Sequence, residues 1–137
     1  MTDEEAYHEL SLYTLQKGDV EFLHQYVVDA YAAQHPLDDS KPIRVYFALA
    51  GLYLHIERGF TGKQVQLAHL RLAKERQPWP IFTPPATLGK MTVLDVLRHL
   101  EGADRDAAIS TWSRSVWGAW HDQHAIIASL VSNALNI

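Results

Sequence analysis

The sequence predicts an all-α protein, a helical bundle of about six helices. Capping signals recur at helix-length intervals, apolar residues between them repeat at i, i+3 and i+4, and no useful stretch shows strand-like alternation. Thr2 and Glu5 have the capping-box spacing, opening a helix that Gly18 closes after Lys17. Asp19 is placed to cap a second helix running to about Gln34. His35-Pro36 ends it, because proline disfavours helical geometry in the residue before it. Residues 37–40 read as a polar loop. Ser40 or Lys41 then starts a third helix, with Pro42 in its first turn and Gly59 after its last residue, Arg58. Thr61 caps a fourth helix reaching about Arg76. Four of the six prolines fall in residues 78–85, predicting an extended strap pinned by Trp79, Ile81 and Phe82. Thr92 and Asp95 open a short fifth helix through Leu100. A long helical stretch follows from Asp104 to about Leu135, kinked near Gly118.

Periodicity ranks these helices. The third, IRVYFALAGLYLHI, is apolar almost all round, as a helix enclosed by neighbours must be. The first, second and fourth are amphipathic. Short connections favour an up-and-down order for the first four. The last stretch packs across them and brings Trp112, Trp117 and Trp120.

Composition narrows the function classes. The 137 residues, 47% hydrophobic and 20% charged, suit a single helical domain over 1–137. A net charge of -4 argues against a general nucleic-acid or anionic-membrane binder. Without cysteine there are no disulfides, no thiolate catalysis and no sulfur-ligated zinc. No apolar run reaches the ~20 residues of a membrane span. The opening MTDEEAYHEL is acidic where an export signal is basic and then apolar.

The eight histidines carry the functional argument. In a helical hairpin, residues equidistant from the turn share a level. With turns at 18, between 38 and 39, and at 60, His8, His55 and His69 fall level with Val28, Phe22 and Tyr26 of the second helix. His24 lies among them, and the whole spread is roughly 9 Å at about 1.5 Å per residue. One inward histidine on each of four helices is how bundles build metal sites. The expected cofactor is a divalent transition metal (Zn, Fe, Ni or Mn), with His8, His24, His55 and His69 as ligands. Glu57 or Asp29 is the candidate catalytic carboxylate that orients or deprotonates bound water, which suits a metal-dependent hydrolase. Ala48 and Gly51 leave the space such a site needs. The same histidines also read as a hydrogen-bonded polar core without metal.

Weaker signals lie elsewhere. Thr61-Gly62-Lys63 with Arg58 reads as an anion-binding helix start or as an ordinary cap. His121 and His124 have chelating spacing, although next to Trp117 and Trp120 they also suit a helix edge. Arg44 either neutralises a substrate anion or pairs with an acidic neighbour. Trp112, Val116 and Trp120 have core spacing first and partner-binding spacing second. The alternative function is therefore a non-enzymatic interaction module, or a homodimer, using the tryptophan-rich helix. A small-molecule partner fits the histidine reading, and neither nucleic acid nor membrane is expected.

The chain resembles a family of small bacterial proteins of unknown function. The resemblance rests on YHEL at 7–10, HQYVVDAYAAQHP at 24–36 and LAGLYLHIERGFTGKQVQLAH at 49–69, with the proline segment and the final helix also similar. Some relatives begin with a Cys-x-x-Cys segment that this sequence lacks. The resemblance implies a bacterial cytoplasmic protein and supplies no activity. It places His8, His24, His35, His55 and His69 within the shared stretches.

Overall fold

A computed structural model describes residues 1–39 and 41–137. Among the described residues it holds seven α-helices, one 3₁₀ turn and no strand. Ser40, expected with Lys41 at the start of the third helix, lies outside the described residues. Helix α1 (Asp3–Lys17) has the predicted capping box, Glu5 N donating to Thr2 Oγ1 at 3.1 Å, and it closes on Gly18 at φ 57°. Helix α3 (Pro42–Arg58) closes in the same way on Gly59 at φ 71°. Helix α4 (Gly62–Leu72) opens on the Thr61 capping box and ends before Arg76, where Lys74 and Glu75 donate to carbonyls three residues back.

The other boundaries differ from the prediction for local reasons. Helix α2 (His24–Gln34) begins at His24 rather than after Asp19. Phe22 takes φ 60°, which a right-handed helix cannot continue, and Asp19 Oδ2 instead accepts from Leu23 N at 2.9 Å to hold a tight turn. Helix α5 (Val93–Leu97) is shorter than expected. The long final stretch is broken into α6 (Ala103–Ala119), a 3₁₀ turn (His121–Gln123) and α7 (His124–Leu135). At the break, His124 Nε2 donates to the Trp117 carbonyl at 2.7 Å and its ring stacks on Trp117 at 3.7 Å. The same carbonyl accepts from Trp120 N at 3.0 Å, so the end of α6 and the start of α7 share one acceptor.

Helix α2 occupies the centre, touching α1, α3, α4 and α6, and α3 in turn meets α4, α6 and α7. Leu10, Val27, Leu49 and Val65 are wholly buried between them. The tryptophan stripe belongs to this interior: Trp112, Trp117 and Trp120 are at most 3% exposed. Each indole N–H has an acceptor, respectively Gln34 Oε1, Glu57 Oε1 and the Ala33 carbonyl. These side chains are core, so they offer no surface to a partner. Trp79 and Phe82 pack half-buried against the core, whereas Ile81, expected to help pin that segment, is 81% exposed. No helix among the described residues is long and apolar enough to cross a membrane.

Candidate functional site

The four histidines do not assemble into one site. Among the described residues, no group of three histidine, aspartate or glutamate side chains is placed to hold a metal ion. His8 is exposed on α1. His24 Nδ1 lies 2.9 Å from Thr14 Oγ1, whose own proton faces the Leu10 and Ser11 carbonyls, so the imidazole is the donor. His55 stacks on Tyr26 at 3.5 Å and donates from Nδ1 to the Phe60 carbonyl at 3.1 Å. His69 stacks on Phe47 and donates from Nε2 to the Phe47 carbonyl at 2.7 Å. Glu57 is exposed at the end of α3, where it accepts from Trp117 Nε1. The expectation that His8, His24, His55 and His69 converge, with Glu57 beside them, is thus corrected. Level along a bundle fixes height but not the side a residue faces, and His55 and His69 open on different clefts.

The cleft of His69 also contains Asp29. It measures about 380 Å³ and lies between α1, α2, α3 and α4, walled by Tyr7, Gln25, Tyr31, Arg44 and Phe47. Asp29 sits on the inward face of α2, only 3% exposed. Its Oδ1 accepts from Gln25 Nε2 at 3.2 Å, one helical turn earlier. Its Oδ2 is buried and has no partner among the described residues. That oxygen lies against Gly51 of α3, where any β-carbon would overlap it, so only glycine admits the carboxyl. Burial pushes the Asp29 pKa well above the usual carboxylate range, and the single bond from Gln25 opposes this only in part. Burial therefore favours the protonated acid over the carboxylate at Asp29. With Oδ1 already an acceptor, the proton belongs on the unpartnered Oδ2.

His69 is the complementary group. Burial lowers its pKa, and the bond to Phe47 works against that shift. A carbonyl can only accept, so Nε2 carries the imidazole proton and Nδ1 keeps a lone pair. Arg44, in the first turn of α3, gives one N–H to the His35 carbonyl at 2.8 Å. It forms no ion pair with a carboxylate among the described residues. Its charge reaches Tyr7 and Tyr31: burial raises both phenol pKa values, and Arg44 pulls each back down. Tyr7 stacks on Tyr31 at 4.1 Å. Tyr7, Gln25 and Phe47 were not singled out from the sequence. The i, i+4 pair of Gln25 and Asp29 on a helix rich in apolar residues was the available signal.

A larger cleft, about 540 Å³, opens beside His55. Most of its polar groups are already engaged, Glu21 and Ser110 excepted. Lys17 pairs with Asp106 at 2.8 Å, Asp19 holds the Leu23 N–H, and Tyr26 and His55 both donate to the Phe60 carbonyl. An unpartnered acid distinguishes the smaller cleft, and that outweighs volume.

The arrangement defines a helical protein with a buried carboxyl group and a half-buried imidazole on one cleft of ligand size. The chain belongs to a family of unknown function (DUF5946), whose model matches residues 4–121 and so takes in every residue of this cleft. No curated protein and no solved structure matches it.

Proposed function

We propose that this protein binds a small polar molecule in the cleft between α1 and α4 and supplies it with a general acid, Asp29, and a general base, His69. The observation that carries this is Asp29, which lines an open cleft and whose Oδ2, buried against Gly51, has no partner among the described residues. An unsatisfied buried polar group costs roughly 1–3 kcal/mol, and a bound acceptor removes that cost. In a proton-transfer step, the Asp29 proton passes to a ligand oxygen while His69 Nδ1 takes a proton from the ligand or from water. The carboxylate and imidazolium left behind return to neutral by exchange with solvent. Hydrolysis suits this pair, with His69 deprotonating water and Asp29 protonating the leaving group.

Soaking crystals with a mixed panel of small polar fragments tests the reading. Bound fragments should lie between Tyr7 and His69, with a polar atom on Asp29 Oδ2 or His69 Nδ1. Fragments that gather beside His55 or Trp79 and leave this cleft to solvent would contradict it.

A further inference from the structure

Arg44 narrows the class of molecule. A guanidinium at a cleft wall ordinarily faces a carboxylate of its own chain, and among the described residues this one does not. The only hydrogen bond its side chain makes to them goes to the His35 carbonyl, which leaves the rest of a planar five-donor fork uncommitted. The first turn of α3 contains no acidic residue, and Lys41 gives it no side-chain cap, so nothing negative lies near on that helix. Aromatic rings line the same cleft: Tyr7 stacked on Tyr31, which also stacks on His35, and Phe47 lying nearly parallel to His69 at 19°. Asp29 also lines the cleft, its unpartnered Oδ2 buried against Gly51.

We infer that the ligand is a small planar organic anion, its carboxylate gripped by Arg44 and its ring or conjugated body lying along the aromatic walls. A polar substituent at the far end would meet Asp29. This rests on the cleft reading above and adds the ligand's charge and shape. Burial disfavours charge on both Asp29 and His69, which leaves Arg44 as the permanently charged residue lining the cleft.

Three probes of similar size separate the possibilities: benzoate, its neutral isostere benzamide and cationic benzylamine. Each is titrated into the isotope-labelled full chain at pH 7, following the His69 imidazole and Gln25 side-chain amide signals by NMR. Benzoate should shift both signals with saturation and bind at least about tenfold more tightly than benzamide, as a charge-assisted bidentate contact requires. Arg44→Gln should bring benzoate down to the benzamide level, with a far smaller loss for benzamide. Should that variant fold poorly, Arg44→Lys keeps the charge, loses the fork, and should still weaken benzoate. Equal binding of benzoate and benzamide, or preference for benzylamine, at these same signals would overturn the anion assignment and leave the cleft reading standing. If no probe moves either signal, both fall together.

Discussion

Gly51 and Asp29 form the closest constraint in the cleft. The carboxyl occupies the place a β-carbon would take, with Val65 of α4 on its other side. Gly51→Ala must therefore turn Asp29 away or push α2 and α3 apart. The overpacking should cost roughly 1–3 kcal/mol in urea denaturation. A Gly51→Ala protein as stable as the parent, with the Gln25 side-chain amide signal also unmoved, would mean that the carboxyl does not lie there. Part of this was legible in the sequence, because Asp29 stands out as a candidate carboxylate while Ala48 and Gly51 mark space on α3; that Asp29 turns inward was not. Arg44 likewise stood out as a cation with two readings. The proton position on His69 was not legible, because it depends on the Phe47 carbonyl of another helix.

Helices in this chain owe their ends to caps and their places to buried aromatics, and the two contributions differ in size. Thr61→Ala removes the side-chain acceptor of Gln64 N and one half of the α4 capping box, which should cost about 1 kcal/mol. Trp112→Ala empties a fully buried site and strands Gln34 Oε1, so roughly 3–5 kcal/mol should be lost. Denaturation of both variants checks the ranking, and a Trp112→Ala protein near parental stability would make that residue a surface rather than core. Cap chemistry is local, so the start of α1, both ends of α3 and the start of α4 could be read from sequence. The start of α2 could not. The turn before it docks on the start of α4, where Lys63 N donates to the Glu21 carbonyl at 3.0 Å and the Phe22 carbonyl fills the space beside Gly62. The break after Trp120 is likewise set by the contact of His124 with Trp117, a pairing that depends on how α7 turns back.

Across the whole molecule, α2 is the spine on which the four-helix cleft and the tryptophan-lined core are both built, so a proton held on Asp29 is coupled to global unfolding. In the unfolded chain an aspartate loses its proton near pH 4. In the folded protein the raised pKa keeps that proton to higher pH, because burial disfavours the charge. Between those two values the folded state binds more protons than the unfolded one, so rising pH reduces stability. The buried histidines act in the opposite sense. His24, His55 and His69 have lowered pKa values, chiefly through burial, so they remove stability as pH falls through and below about 6.5. Comparing the parent with Asp29→Asn cancels the histidine contribution, since both proteins carry it. The decisive measurement is the unfolding free energy of the two proteins from pH 4 to pH 8. The Asp29→Asn protein should gain on the parent as pH rises from about 4, levelling once the folded parent also loses the proton. A difference that stays flat, or that moves in the parent's favour with rising pH, would show Asp29 to be an ordinary or stabilised carboxylate and would contradict the neutral acid on which the site depends.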